Sequence, residues 1–168
     1  MDAVDENDGS KGIDYNKIQE MWYMEAVILE SLRMFPLTPL ERNTTKPYKV
    51  SDGSSEFVIP KGMLVTIPVS FNKDEKYFKN PKKFDPENFS PENMAIRGPY
   101  PFIAFGHGPR NCIGMRFAKL NMKIGLFRLL LKYKIIPCSK TVDELIVDPI
   151  SFNGAPIGEI WVKLEERQ

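Results

Sequence analysis

Ten consecutive residues carry the clearest chemistry in this chain: Phe105-Gly106-His107-Gly108-Pro109-Arg110-Asn111-Cys112-Ile113-Gly114, followed at once by a run of helix formers. A cysteine at the mouth of a helix is placed to act as an anionic sulfur ligand. The positive end of the helix dipole and the free amides of the first turn face it. Those amides can also hydrogen-bond the sulfur and tune its donation to a metal. Gly108 and Gly114 lack a Cβ, so the backbone there can take unusual φ values and approach a flat ligand closely. Phe105 can pack near the sulfur and keep water away. Arg110, two residues before the cysteine, offers a charge-assisted donor to a carboxylate. The plainer reading, a free cysteine acting as a small hydrophobe, leaves the spacing of Phe, Gly and Arg around Cys112 without a reason.

A second constellation is Glu30-Ser31-Leu32-Arg33. Residues three apart share a helix face, so the two charges can pair. Their surroundings are apolar, which places the pair in the interior, where it must be well satisfied or it costs stability. Arg116, Lys119 and Lys123 follow one another at helical spacing and form one basic face, whose plain reading is a solvated stripe. Cys138 lies in an apolar, strand-like run, where core packing is its expected role. The single histidine, His107, excludes most zinc arrangements, and no G-x-S-x-G elbow accompanies it to build a serine triad.

The elements that must position these groups follow from periodicity and turn chemistry. Residues 15–34 predict one helix, with Asp14 as N-cap and a stop at Pro36. From Met21 to Leu32 that helix is apolar almost all round and reads as buried. Short extended pieces are expected at Leu40–Thr44 and Tyr48–Val50. Phe57–Ile59 and Met63–Ile67 read as a hairpin across Pro60-Lys61-Gly62. A helical turn is expected around Asn72–Tyr77. The proline-rich stretch 80–104 reads as ordered coil pinned by Phe84, Phe89, Tyr100 and Phe102, since long structureless loops are usually functional. A second long helix runs from Met115 to about Lys132. Tyr133–Cys138 then turns strand-like, and short strands follow to Leu164, with turns at Asn153-Gly154 and near Pro156. The fold class is therefore α+β: two long helices, a proline-rich coil and small antiparallel strand pairs.

Bulk properties narrow the function classes. With 168 residues, 42% hydrophobic and 27% charged, the chain has room for one core. A net charge of +1 gives no global field for nucleic acid. Residues 1–13 form an acidic lead-in with little to bury, and the folded part is expected over 14–168. No window of about 18 uninterrupted apolar residues exists to span a bilayer. The N-terminus lacks the basic and apolar regions of a signal peptide.

The pattern F-x-x-G-x-R-x-C-x-G is matched at every position, and from about Ile13 onward the chain resembles the cytochrome P450 family. Phe105–Ala118, Asn121-Met122-Lys123 and Pro137-Cys138 resemble its microsomal branch, which holds insect detoxifying and vertebrate drug-metabolising members. Pro60–Asn80 resembles the insect relatives most. The resemblance implies the C-terminal, haem-ligating part of a mainly helical fold, with Cys112 as axial ligand of haem b (iron protoporphyrin IX). It implies insertion of one atom of O₂ into a small apolar substrate, with thiolate donation favouring O–O cleavage. Electrons would come from NADPH through NADPH–cytochrome P450 reductase, with cytochrome b5 as a second donor. The location would be the cytosolic face of the endoplasmic reticulum membrane, in xenobiotic metabolism.

The same resemblance assigns further residues. Phe105, Gly108, Arg110 and Gly114 would bind haem, and Arg42 is a candidate second propionate partner. Glu30 and Arg33 precede Cys112, Arg33 by 79 residues, in the order the family requires. Their usual third partner is an arginine in a P-E-R-F sequence, but this chain has Pro86-Glu87-Asn88-Phe89, and Asn88 supplies no charge. Arg116, Lys119 and Lys123 become a docking face for an acidic, flavin-bearing donor. Leu37–Leu40 and the turn at Phe152–Pro156 would touch substrate. The distal proton-delivery residues, the membrane anchor and most of the substrate pocket are expected to lie outside the chain, so no catalytic residue is assigned. The alternative reading is a truncated, non-catalytic haem- or reductase-binding fragment.

Overall fold

The computed structural model describes residues 14–68, 70–148, 151 and 154–167. The acidic lead-in 1–13 lies outside them, as do Phe152 and Asn153 of the last turn. Chain order runs α1 (Tyr15–Glu20), α2 (Trp22–Met34), β1 (Leu40–Asn43), β2 (Tyr48–Ser51), β3 (Glu56–Ile59), β4 (Leu64–Ile67), α3 (Pro91–Arg97), α4 (Met115–Lys132), β5 (Tyr133–Ile136) and β6 (Lys163–Glu166). Single 3₁₀ turns occupy Ser70–Lys73, Pro86–Phe89 and Gly108–Arg110. The described helices have 6, 13, 7 and 18 residues, and the strands form three separate antiparallel pairs.

Asp14 caps α1 as expected: its Oδ1 accepts from the amides of Asn16 at 2.8 Å and Lys17 at 3.4 Å. The predicted single helix is two, however, broken at Met21 (φ −69, ψ 77). A continuous helix would offer the Gln19 carbonyl to Tyr23; here it accepts from Lys123 Nζ of α4 at 3.0 Å instead. The all-round apolar helix is also covered on one side only. Ala26, Ile28, Leu29, Glu30 and Arg33 are buried, whereas Trp22 and Tyr23 are half exposed.

The strand pairing differs from the expected hairpin. β3 pairs with β2, Tyr48 opposite Ile59 and Ser51 opposite Glu56, while β4 pairs with β1, Leu40 opposite Ile67. The turn at Asp52-Gly53-Ser54-Ser55 decides this: Asp52 Oδ1 accepts from the Ser55 and Ser54 amides and the Ser54 hydroxyl, and Gly53 sits at φ +90. Pro60-Lys61-Gly62 is instead stitched to Thr44, whose carbonyl accepts from Gly62 N–H at 2.8 Å and whose hydroxyl donates to the Pro60 carbonyl at 2.6 Å. The β2–β3 hairpin is thus inserted between β1 and β4.

The stretch 80–104 is not plain coil. Ser90 caps α3 by accepting from Asn93 N–H at 3.3 Å, Pro91 opens it, and Gly98 ends it at φ +72 with its amide on the Met94 carbonyl. The core is small: Ala26, Leu29, Phe78 and Phe89 cluster together, with Tyr77, Phe102 and Phe105 packed against them. Burial of Phe78 and of Phe89 contributes roughly 1.5–3 kcal/mol each. Cys138 is half-buried and lies outside that cluster, its amide donating to Thr141 Oγ1 at 2.7 Å.

Candidate functional site

Two left-handed glycines shape the loop before α4: Gly106 at φ +73 and Gly108 at φ +77. At Gly106 a Cβ would make only ordinary contact, 3.5 Å from Asn111 Cα, so the positive φ alone favours glycine. Gly114 sits at φ −85, which suits any residue, and a Cβ there would lie an ordinary 4.0 Å from Cys112 Sγ. Cys112 is fixed from both sides: its amide donates to the Phe105 carbonyl at 2.8 Å, and its own carbonyl accepts from Met115 N–H at 3.3 Å. The Phe105 ring packs on the core cluster, so this residue ties the loop to the interior.

The thiol of Cys112 is exposed, beside two large apolar side chains, Ile113 and Phe117, that are 103% and 74% exposed. A guanidinium from outside the loop reaches it, and the loop carries one of its own in Arg110. Arg42 of β1 donates to the Arg110 carbonyl at 3.4 Å, and neither side chain has an acidic partner among the described residues. An open sulfur, an apolar flank and two unneutralised cations fit a flat, apolar macrocycle carrying two carboxylates. No cluster of three or more His, Cys, Asp and Glu that could hold a bare metal ion occurs among the described residues.

Behind the loop lies a buried clamp. Glu30 and Arg33 are completely buried. Arg33 donates to both Glu30 carboxylate oxygens, at 2.7 and 2.8 Å, a bidentate geometry that strengthens the pair. It also donates to the carbonyls of Asn72, Pro81 and Lys83 at 2.6, 2.9 and 3.2 Å. Glu30 accepts in turn from Asp85 N–H at 2.8 Å and Asn88 Nδ2 at 3.3 Å. Asn88 therefore reaches the carboxylate without bringing a charge to it. Phe78, Asn72 and Arg97 belong to this assembly but were not singled out in the sequence. Phe78 is fully buried and Arg33 Cζ stands 5.1 Å from its ring centre. Burial lowers the Arg97 guanidinium from its ordinary value; Glu30 opposes that shift and Arg33 adds to it.

The basic residues of α4 do not form one open face. Lys119 and Lys123 both pair with Glu25 of α2, at 2.8 and 2.9 Å, and Lys123 is 3% exposed. Burial raises the Glu25 carboxyl, but the two lysines outweigh it, and the group lies below its ordinary value. Arg116 alone of the three is exposed. No helix among the described residues is long and apolar enough to cross a membrane.

A cysteine held on a glycine-shaped loop ahead of a helix, with a buried Glu–Arg pair earlier in the chain, fits thiolate ligation of a haem. Residues 2–157 match the cytochrome P450 family. The chain is 38% identical over 165 residues to cytochrome P450 6a2 of Drosophila melanogaster, covering 97% of this chain and 32% of that protein. Cytochrome P450 9e2 of Blattella germanica is 39% identical, with 98% of this chain and 31% of that protein covered. Cytochrome P450 3A18 of Rattus norvegicus is 40% identical, with 92% and 31% covered. The chain belongs to the cytochrome P450 family and spans about a third of the length of these relatives.

Proposed function

We propose that this chain is the haem-ligating portion of a haem-thiolate monooxygenase, with Cys112 as axial ligand of haem b. The observation that carries the reading is the exposed Cys112, fixed three residues before α4 beside the exposed Ile113, in a loop that Arg42 reaches through the Arg110 carbonyl. Bound there, the haem would supply oxygen-activating chemistry. The chain's own residues would hold it: Cys112 would present the sulfur, Arg110 and Arg42 would meet the propionates, and Ile113 and Phe117 would cover apolar ring surface. Phe105 anchors the loop to the core, while Glu30, Arg33 and Asn88 fix the coil behind it.

The finer assignments follow the family. Electrons would arrive from NADPH–cytochrome P450 reductase, with cytochrome b5 as a second donor, at the cytosolic face of the endoplasmic reticulum membrane. Because Glu25 holds Lys119 and Lys123, only Arg116 of these three basic residues remains exposed to an acidic flavoprotein. An apolar xenobiotic substrate would contact Leu37–Leu40 and the turn that contains Gly154.

The test is a haem titration of the chain followed by a ferrous–CO difference spectrum, on wild type, Cys112→Ser and Cys138→Ser. Thiolate ligation gives a strongly red-shifted Soret band, expected in wild type and Cys138→Ser and lost in Cys112→Ser. Persistence of that band in Cys112→Ser would overturn the assignment.

A further inference from the structure

We propose that Arg97 is a positioning residue of the haem loop, supplying from the end of α3 the cationic brace that position 88 lacks. The proposal rests on the haem-thiolate reading above. Arg97 donates through Nη1 to the carbonyl of Asn88 at 2.6 Å. Asn88 in turn donates through Nδ2 to Glu30 Oε1 at 3.3 Å, and Glu30 is chelated by Arg33. The Arg97 Cζ stands 4.4 Å from the centre of the Phe78 ring and 4.8 Å from that of Phe89. Arg33 lies over the same Phe78 ring. Two guanidinium groups and one carboxylate are thus gathered around a single buried aromatic side chain, with Asn88 as the neutral link between them. A cation over two ring faces in a partly dry site gains both electrostatic and packing energy.

Position makes this brace matter to the loop. Helix α3 buries none of its side chains; Arg97 joins it to Phe78, Phe89 and the Asn88 carbonyl, and Asn93 Nδ2 donates to the Glu87 carbonyl at 2.7 Å. Gly98 and Pro99 follow directly, and the next residues reach the loop: Phe102 packs edge-on against Phe89 at 4.7 Å, and Tyr100 against His107 at 4.9 Å. Arg97 also borders a cavity of about 230 Å³ shared with Phe105, His107 and Met115, immediately behind the cysteine loop. On its other side a cavity of about 470 Å³ is bordered by both Arg97 and Asn88, which leaves room for a longer side chain at position 88.

Four forms of the chain decide the matter: wild type, Arg97→Lys, Arg97→Gln, and Asn88→Arg combined with Arg97→Gln. Haem affinity, the red-shifted fraction of the ferrous–CO spectrum and the urea midpoint of the haem-free protein are measured for each. Arg97→Gln keeps a hydrogen-bond donor but loses the charge, and is expected to weaken haem binding by roughly 2- to 30-fold, the range for residues that act on a site through intervening contacts. Its red-shifted fraction should fall with it. Arg97→Lys should keep most of both, and the double variant should regain them. Unchanged affinity in Arg97→Gln, or equal loss in Lys and Gln without rescue by Asn88→Arg, overturns the inference. Should wild type bind no haem, the haem-thiolate reading fails. The urea midpoints then still decide the brace: lowered in Arg97→Gln and restored in the double variant supports it, and any other order refutes it.

Discussion

Replacing Arg33 with methionine tests the clamp most directly, because the substitution keeps length and packing while deleting every donor. Arg33 is completely buried and makes five hydrogen bonds, two to Glu30 and three to the carbonyls of Asn72, Pro81 and Lys83. Leaving Glu30 as an uncompensated buried carboxylate costs about 3–5 kcal/mol. Three carbonyls that lose a charged donor add roughly 1 kcal/mol each before water enters to relieve some of them. A loss of about 4–6 kcal/mol is therefore expected, against a total stability of about 5–15 kcal/mol for a domain. Glu30→Leu combined with Arg33→Met removes both charges together and should recover roughly 2–3 kcal/mol of the summed single costs. It cannot recover all of it, since Asp85 N–H and the three carbonyls stay unpaired. Urea unfolding of wild type, both single variants and the double variant supplies the cycle, with midpoints read at a common slope. A cost below about 1 kcal/mol for Arg33→Met, at unchanged slope, would refute a closed clamp.

Other expectations follow from single contacts. Glu25 titrates below its ordinary value of 4.5 because Lys119 and Lys123 outweigh the effect of burial. Its stabilisation is thus fully present above that pH and is lost as pH falls through the lower folded value. The gap in stability between wild type and Glu25→Gln should be steady near neutrality, about 1 kcal/mol or less for a half-exposed pair, and should close in acid. A gap that widens in acid would show the sign is wrong. Gly154→Ala would place a Cβ 2.7 Å from the Pro36 carbonyl oxygen at φ +62. A stability loss of about 1–3 kcal/mol is expected in thermal unfolding, and an unchanged midpoint would mean that the turn does not press on the coil after α2.

Local chemistry made some of this fold legible and hid other parts. Asp14, Pro36 and the glycine-bounded loop announce themselves because each acts on its own few residues. The α3 signals were equally local: Ser90 as cap, Pro91 at the first position, Arg97 in the last turn and Gly98 after it. They were masked by the density of prolines around them. The β2–β3 hairpin was masked the same way, because Pro60-Lys61-Gly62 competes with Asp52-Gly53 as a turn, and only the long-range stitching to Thr44 separates the two. The break at Met21 was beyond local reading, since its cause is an ammonium group 104 residues away that takes the Gln19 carbonyl. In the site, Cys112, Arg110, Glu30 and Arg33 stood out by spacing. Arg97 and Phe78 carry no motif, and their part emerges only when the chain brings α3 back over the clamp.

The clamp also explains why its cation is an arginine. The coil from Asn72 to Asp85 has no ladder to satisfy its main-chain groups, and buried carbonyls without donors are costly. A guanidinium presents five N–H groups in a rigid fork, enough to chelate a carboxylate and still serve three carbonyls; an ammonium has three donors and no fixed plane. Arg33 uses its fork this way, with Nε and Nη2 on Glu30, Nη1 on Asn72 and Pro81, and Nη2 again on Lys83. Glu30 then turns outward to the Asp85 amide and Asn88. The coil from Asn72 to Lys83 is thus fixed to α2 through three carbonyls for which no other donor stands among the described residues.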